Sequence, residues 1–214
     1  MVPEADVREL AAWTDAVGSW PVGSHLWGQY AEQIGDRSAV CRTENVSACH
    51  EGIATLVEGR LRDVASSRFG EAATAFKDKI NYKHPGGAGF RPHQDRLAYP
   101  GVMSVLSILV AIDECAIESG CLWLAAGVDE LLPTDERGVV RDEVVGSLQW
   151  EPAELAPGDA VLLDGLAPHY SEANRGGSPR RVLVASYAPA AESYSRDQYY
   201  SARADSMDRA SEQD

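Results

Sequence analysis

The feature that most constrains the fold of this chain is a pair of distant segments that each carry a histidine able to bind a metal. His93 and Asp95 stand one residue apart, and His169 lies far downstream. In an extended segment, side chains two residues apart point to the same side, so one metal ion can contact both His93 and Asp95. A histidine from a distant strand then supplies the third ligand, so the fold must bring two remote segments together.

Two histidines and one carboxylate on one face of a metal ion leave its opposite face open. This arrangement is typical of non-haem Fe(II) oxygenases, in which the open positions receive a co-substrate and O₂. The remaining histidines suit a ligand role less well. His84 is separated from His93 by a glycine-rich segment, and His25 and His50 have no acidic partner at ligand spacing.

The composition is that of a globular protein with a strong negative charge. The chain has 214 residues, of which 44% are hydrophobic and 24% are charged, and its formal net charge is −14. This length suits one domain with a large core, and the charge disfavours binding to nucleic acid or anionic membranes. The first residues lack a signal-peptide pattern and no two cysteines form a C-x-x-C pair, so we expect a cytoplasmic protein with reduced thiols.

Helices are expected in the first part of the chain and strands in the second. The spacing of apolar residues predicts helices over residues 4–17 and 51–68. From Phe76 onward, short apolar runs alternate with turn residues, which predicts an antiparallel sandwich or barrel. The predicted strands are Phe76–Tyr82, Val102–Ile112, Leu122–Ala126, Ser147–Glu151, Val161–Asp164, His169–Ser171 and Arg181–Tyr187. We expect a single domain over residues 1–205, with a short helix near Arg196–Tyr200, and disorder over residues 206–214.

Six segments of the chain carry a family likeness. They are Lys77–Lys83, Pro85–Phe90, Pro92–Asp95, Ser119–Trp123, Pro157–Asp159 and Ser178–Arg181. Together they resemble the phytanoyl-CoA dioxygenase family over nearly the whole chain, and the stretch from Lys79 to Asp95 is most similar to bacterial hydroxylases of 2-aminoethylphosphonate and related phosphonates. The resemblance implies a mainly β fold, a double-stranded β-helix (jelly roll, cupin-like) with N-terminal helices packed outside. It also implies hydroxylation with Fe(II), 2-oxoglutarate and O₂, releasing succinate and CO₂.

The resemblance assigns roles to individual residues. The triad described above would hold the iron, and a carboxylate at Asp95 favours hydroxylation over halogenation. Arg180 would bind the far carboxylate of 2-oxoglutarate through its planar guanidinium group, and Ser171 would bond the same carboxylate. Because adjacent residues of a strand point to opposite faces, only one of Arg180 and Arg181 can reach inward, and the family spacing favours Arg180.

Further polar residues near the triad are candidates for the mouth of the site. Lys79 and Asn81 share one face of the strand that precedes the glycine-rich loop, and we expect at least one of them to point inward and help bind the co-substrate. Lys79, Lys83, Arg91 and Arg96 surround the metal motif, in a chain that is otherwise acidic. This cluster predicts a positive mouth that attracts anions.

Three flanking segments carry further expectations. Gly86–Gly89 lacks the order of a phosphate-binding loop and is interpreted as a mobile flap over the iron. The polar residues Arg42, Glu44 and Asn45 are expected to line the substrate mouth. Many relatives carry Pro-Gly-Ser-His where this chain has Ala125–Asp129, which indicates a substrate different from theirs.

The substrate is expected to be a small polar molecule, either a natural-product intermediate or a phosphonate, and not a long acyl-CoA thioester. Two other functions remain open: a non-enzymatic cupin-like module that binds a metal or ligand, and a metal-dependent hydrolase. Neither alternative needs an interior arginine such as Arg180. We expect a monomer or homodimer with a small-molecule substrate and with no nucleic-acid or membrane partner.

Overall fold

Two helical segments precede most of the strands. The computed structural model describes residues 2–21, 24 and 26–202. The helical elements are α1 (Glu4–Gly18), α2 (Glu51–Leu56), a π-helical turn (Val57–Leu61) and α3 (Arg62–Phe69). The last three form one continuous segment, so both helices expected from the apolar spacing are present.

Strands in the described part of the chain form two antiparallel sheets. They are β1 (Gly28–Ile34), β2 (Arg37–Glu44), β3 (Ala73–Lys83), β4 (Phe90–His93), β5 (Leu106–Ala111), β6 (Leu122–Ala125), β7 (Trp150–Ala153), β8 (Ala160–Asp164), β9 (His169–Ser171) and β10 (Arg180–Pro189). One sheet has the order β1-β2-β3-β10-β5-β8, and the other has the order β4-β9-β6-β7. Lys83 of the first sheet donates a hydrogen bond to Ser171 of the second, so the inner faces of the sheets confront each other.

The main hydrophobic core lies between the six-stranded sheet and the helices. Leu10 and Val17 of α1 and Ile53 of α2 pack in one buried cluster with Ile80 of β3 and Leu183 of β10. Alternation along β3 and β10 sends the neighbouring residues to the opposite face, toward the second sheet. On β3 and β10, a binding site between the two sheets can therefore be lined only by the alternate positions, which do not belong to the helical core.

The central strands β3 and β10 pair along their whole length and fix the partners on this inner face. The inner residues stand opposite one another as Lys77 with Ser186, Lys79 with Val184, Asn81 with Val182, and Lys83 with Arg180. On the other side of β10, Ser186 pairs with Ser107 of β5. The alternation along Lys77–Lys83 predicted that Lys79 and Asn81 share one face of β3. The structure shows that this face points inward, between the two sheets.

The structure departs from the expected strands where the chain is exposed or irregular. The β1–β2 hairpin was not predicted, because no residue before Thr43 in it is fully buried and its apolar alternation is weak. The run Val102–Ile112 becomes a strand only from Leu106, since the preceding residues join a separate cluster around Tyr99. The strand expected at Ser147–Glu151 is displaced toward the C-terminus, to β7, because a turn follows the short helix α4 (Asp142–Val145).

The C-terminal segment is fastened to β3 by a buried ion pair. A helix covers residues 196–202, as expected, while the disorder expected over residues 206–214 lies outside the described residues. Arg196 donates to the carboxylate of Asp78, which is fully buried and also accepts bonds from the amide and hydroxyl of Ser47. Tyr200 donates its hydroxyl to the carbonyl oxygen of Asp78 at 3.1 Å. The segment is therefore held at two points.

We predict that Arg196→Met lowers the free energy of unfolding by about 3 kcal/mol, because it leaves Asp78 buried without its charged partner. Urea denaturation measures this loss. Arg175→Met is the matched control, since Arg175 is exposed and pairs with Glu172 at the surface, where ion pairs contribute about 1 kcal/mol or less. Equal losses in the two variants would contradict the importance of the buried pair.

None of the helices within residues 2–21, 24 and 26–202 is long and apolar enough to cross a membrane.

Candidate active site

Three side chains with metal-ligating atoms meet between the two sheets. His93 ends β4, His169 begins β9, and the two residues pair across these strands. Asp95 begins a 3-10 turn directly after β4. Each histidine Nε2 lies 4.0 Å from the Asp95 Oδ1, and one ligand atom from each residue lies within 4.8 Å of the others. The structure thus brings together the three residues that the sequence spacing indicated.

Backbone carbonyls determine which nitrogen of each histidine faces the centre. The Nδ1 of His93 lies 2.7 Å from the carbonyl oxygen of Arg91, and the Nδ1 of His169 lies 3.0 Å from that of Ala167. Because a carbonyl oxygen only accepts, each Nδ1 carries the hydrogen and each Nε2 keeps its lone pair for a metal. Metal-binding histidines typically make this second hydrogen bond. Two imidazoles and one carboxylate so oriented are a donor set that fits Fe(II).

Charges and burial keep His93 and Asp95 in the forms that bind a metal at neutral pH. Burial, followed by the neighbouring His169, lowers the pKa of His93 to about 4. Burial acts to raise the pKa of Asp95, but His169, Lys79 and Lys77 outweigh it and hold that pKa below its usual range. A neutral imidazole and an ionised carboxylate are the forms that bind a metal, so neither His93 nor Asp95 has to lose a proton before the metal enters.

Gln94, between the first two ligands, is a structural residue that the sequence reasoning missed. Its buried side chain donates to the carbonyl oxygens of Glu130 at 2.9 Å and Leu166 at 2.5 Å, and it accepts from the amide of Leu132 at 2.8 Å. These bonds join the loop after β6 to the loop before β9, between Asp164 and His169. A glutamine in this position gives no sequence signal, because its role depends on loops that are remote in the chain.

Ser107 bonds the carboxylate of Asp95, the candidate ligand. Its hydroxyl donates to the Asp95 Oδ2 at 3.2 Å and lies 2.9 Å from the hydroxyl of Ser186. We predict that Ser107→Ala lowers the affinity for Fe(II) about tenfold, because such supporting bonds hold a ligand in place. Competition with a coloured chelator measures the affinity. Ser186→Ala, one step further from the metal, is the control and should have a smaller effect; the reverse order would contradict this role.

A cavity of about 580 Å³ opens onto the triad. Apart from the triad itself, its polar lining comes from the inner faces of β2, β3 and β5 and includes Arg42, Lys77, Lys79, Asn81 and Ser107. Its apolar and aromatic lining includes Phe90, Leu109, Leu122, Leu163, Val184, Tyr194 and Tyr199. The C-terminal segment therefore forms one wall. The Oδ1 atom of Asn81 is buried and, within the described residues, has no hydrogen-bond partner.

The two residues expected to bind the far carboxylate of a co-substrate are buried but do not line this cavity. Arg180 lies four residues before Val184 on the same face of β10, and its Nε has no hydrogen-bond partner in the described part of the chain. Burial lowers the pKa of Arg180. Ser171 is buried at the end of β9. Arg181 points to the opposite face, as expected, and makes two bonds to the Asp113 carboxylate at 2.7 and 2.8 Å.

The expectation that Lys79, Lys83, Arg91 and Arg96 together form a positive mouth is wrong for three of the four residues. Of the four cations, only Lys79 lines the cavity. Lys83 is buried against Ser171, Arg91 pairs with a surface carboxylate, and Arg96 donates to backbone carbonyls. A position close to the metal motif in sequence does not decide where a side chain points. The pairing of β4 with β9 shifts between Phe90 and His93, so the regular alternation of side chains is interrupted at Arg91. The other lining cations come from β2 and β3.

The glycine-rich loop and the polar cluster on β2 also differ from expectation. The loop is tied down rather than free, because Gly86 donates to the carbonyl oxygen of Asn174 at 2.8 Å and Ala88 donates to the Glu32 carboxylate at 3.0 Å. A side chain at Gly89 would meet the carbonyl oxygen of Ser171 at 2.3 Å, so this glycine permits close backbone contact. No residue of Ala125–Asp129 lines the cavity.

Of the three residues expected at the mouth, Arg42 lines the cavity. Glu44 lies behind it, buried, with its carboxylate 3.5 Å from the Arg42 guanidinium. Asn45 is instead used for structure, because its Oδ1 accepts a bond from Arg196 at 3.0 Å.

Solved structures with the same fold include iron and 2-oxoglutarate enzymes. EctD from S. alaskensis with 2-oxoglutarate and 5-hydroxyectoine superimposes with a TM-score of 0.74 at 20% identity, covering 90% of this chain and 71% of that chain. The epimerase SnoN in complex with Fe3+, alpha ketoglutarate and nogalamycin RO gives 0.72 at 18% identity, covering 88% and 76%. These similarities confirm the jelly-roll fold class. This fold, together with the family match and the relatives described next, defines a non-haem iron dioxygenase that uses 2-oxoglutarate.

Sequence comparison specifies the family. The chain belongs to the phytanoyl-CoA dioxygenase (PhyH) family, which it matches over residues 1–182. It is 36% identical to the methylphosphonate hydroxylase of Gimesia maris over 200 residues, covering 92% of this chain and 77% of the relative. It is 35% identical to the 2-aminoethylphosphonate dioxygenase of the uncultured bacterium HF130_AEPn_1 over 204 residues, covering 92% and 78%. The expected family and enzyme class are confirmed, and hydroxylation is supported over a binding module or a hydrolase.

Proposed function

We propose that His93, Asp95 and His169 hold the iron of this dioxygenase. When bound, the iron supplies O₂ activation, by which 2-oxoglutarate is converted to succinate and CO₂ and a C–H bond of the substrate is hydroxylated. The support is the orientation of the two Nε2 lone pairs and the bond from Ser107 to the Asp95 carboxylate. The chain contributes position and charge, and the chemistry belongs to the metal.

We propose that the inner face of β3 and β10 binds 2-oxoglutarate. For the far carboxylate, Arg180 offers a buried guanidinium whose Nε has no partner among the residues that the structure describes, and Ser171 offers a hydroxyl. Asn81 lines the cavity, and its side-chain NH₂ group can donate to the co-substrate. Lys79 lies close enough to Asp95 to lower its pKa. Because buried polar groups are normally bonded, a buried donor such as the Arg180 Nε, which has no partner in the described residues, favours a bound anion at this face.

We propose that the substrate is a small organic anion, with a short phosphonate as the first candidate. The observation that carries this proposal is the charge of the cavity. Among the described residues, three cations line it, Arg42, Lys77 and Lys79, against one carboxylate, Asp95, in a chain whose formal net charge is −14. A positive cavity in a negative protein concentrates anions. The two relatives described above are named for methylphosphonate and 2-aminoethylphosphonate, which agrees with this charge.

A natural-product intermediate is the second candidate, because much of the cavity lining is apolar or aromatic. Phe90, Tyr194 and Tyr199 line it together with several leucines. Such a surface contacts a ring or chain better than it contacts a one-carbon phosphonate. A carbon skeleton that carries one anionic group would use both halves of the cavity.

The test is substrate-dependent formation of succinate from 2-oxoglutarate by the Fe(II)-loaded enzyme. The panel contains methylphosphonate, 2-aminoethylphosphonate, the matching sulfonates, neutral amides of the same length, ring-containing anions and a CoA ester. We expect stimulation by anions and not by their neutral analogues, with the hydroxylated product confirmed by NMR spectroscopy. Stimulation by neutral compounds alone, or by the CoA ester alone, would contradict the proposal.

A variant pair makes this test specific to the cavity. Lys79→Met removes a lining cation, whereas Arg91→Met removes a surface cation near the same metal motif. At saturating 2-oxoglutarate, which Lys79 is also proposed to contact, we expect the Michaelis constant for the anionic substrate to rise about tenfold in the first variant and to stay unchanged in the second.

We also propose that residues 1–205 form one catalytic domain that acts in the cytoplasm as a monomer or homodimer, without a nucleic-acid partner. The four cysteines are all free thiols, which supports a reducing compartment. The net charge of −14 supports the lack of a nucleic-acid partner.

A further inference from the structure

Two buried cations stand directly opposite each other on neighbouring strands. Lys83 of β3 pairs with Arg180 of β10 in the antiparallel register, so both side chains leave the same face of the sheet. Each residue is only 4% exposed. Like charges in this relation are unfavourable, and burial strengthens the repulsion because water no longer screens it. An anion bound between the two side chains would account for such a pair.

Nothing in the described part of the chain neutralises either charge by direct contact. The Lys83 Nζ donates to the Ser171 hydroxyl at 2.7 Å and to the carbonyl oxygens of Gly120 at 3.3 Å and Glu172 at 2.5 Å. All three acceptors are uncharged. The guanidinium of Arg180 interacts with the side chain of Cys115, and its Nε has no partner within the described residues.

We propose that Lys83 is a second cationic binding residue for the far carboxylate of 2-oxoglutarate, acting together with Arg180 and Ser171. This inference rests on the proposed placement of the co-substrate at Arg180. The hydroxyl assigned to that carboxylate already accepts a bond from Lys83, so a carboxylate bound at Ser171 lies within reach of the ammonium group. Lys83 therefore binds the co-substrate and also joins the loops at Gly120 and Glu172.

Co-substrate binding should bring a proton to Lys83. Burial, followed by Arg180, lowers the pKa of Lys83 to about 7, while Glu32, Cys121 and Cys115 act in the opposite direction. Above this pH the amine is largely neutral, and a bound carboxylate raises its pKa again. The apparent affinity for 2-oxoglutarate is then greatest below pH 7 and falls as the pH rises through 7.

The experiment is calorimetric titration of 2-oxoglutarate into Fe(II)-loaded enzyme without oxygen, at pH 8, in two buffers with different ionisation enthalpies. The difference between the buffers counts the protons taken up. We expect the wild-type enzyme to take up close to one proton per 2-oxoglutarate. Lys83→Met should lose this uptake and bind about tenfold more weakly. Arg175→Met, which removes an exposed cation on the loop after β9, should match the wild type.

Wild-type enzyme that takes up no proton would overturn the protonation of Lys83 on binding, and this measurement does not depend on whether any variant folds. A Lys83→Met enzyme with a normal circular dichroism spectrum and unchanged affinity would also overturn it. Arg180→Met separates this inference from the proposed function. Normal binding in Arg180→Met would reject the placement of the co-substrate, whereas weak binding there with normal binding in Lys83→Met would reject only the role of Lys83.

Discussion

Replacing any one of His93, Asp95 or His169 with alanine is expected to abolish both iron retention and succinate formation while the fold survives. Each residue supplies one of three ligand atoms that lie within 4.8 Å of one another, so two ligands remain in each variant. The stability of the protein rests mainly on the core between the helices and the other face of the sheet. Iron content after desalting, succinate formation and the thermal midpoint measure the three quantities.

His84→Ala is the matched control for the triad. This histidine lies nearby in sequence, but its Nε2 lies 2.9 Å from the carbonyl oxygen of Val40 and it does not join the triad. We expect this variant to retain iron and activity. Full iron occupancy together with wild-type turnover in an alanine variant of any triad residue would show that the residue is not a ligand.

Arg180→Met is expected to raise the requirement for 2-oxoglutarate between about 30-fold and 1000-fold, whereas Arg181→Met should leave it nearly unchanged. Losing a charge-assisted bidentate contact costs about 2–4 kcal/mol of binding free energy. Arg181 points to the other face of β10, where it bonds Asp113 and Asp15, so its loss should lower stability by about 2 kcal/mol instead.

The Michaelis constant for 2-oxoglutarate at saturating iron, together with urea denaturation, separates these two outcomes. Adjacent arginines on one strand make a demanding comparison, because the variants differ only in the face that they alter. Equal effects on the Michaelis constant, or a larger effect from Arg181→Met, would contradict the proposal that Arg180 binds the far carboxylate of 2-oxoglutarate.

The sequence predicts those features that depend on local geometry. The position of His93 relative to Asp95 follows from the alternation of an extended segment, and this geometry holds at the end of β4. The opposite orientations of Arg180 and Arg181 follow from the same rule. The order of helices and strands also follows from local periodicity, which sets the apolar face of each element.

Features that depend on register or on distant packing could not be predicted. Lys83 and Arg91 flank the same loop, yet one is buried and the other is at the surface, because strand pairing decides their surroundings. Gln94 gains its role from two loops that meet only in the folded chain. The aromatic wall at Tyr194 and Tyr199 depends on a segment that returns to the sheet after the last strand.

Residues 194–202, which form one wall of the cavity, are attached to β3 at a point away from the cavity. Asp78, which holds Arg196, lies between Lys77 and Lys79 on β3, so the fastening and the cavity occupy opposite faces of one strand. Residues 194–202 contribute side chains to the cavity but none to the cluster of His93, Asp95 and His169. We expect that exchanging this segment between homologues, while keeping the Arg196–Asp78 ion pair, alters which molecule is oxidised and leaves iron binding and co-substrate use intact.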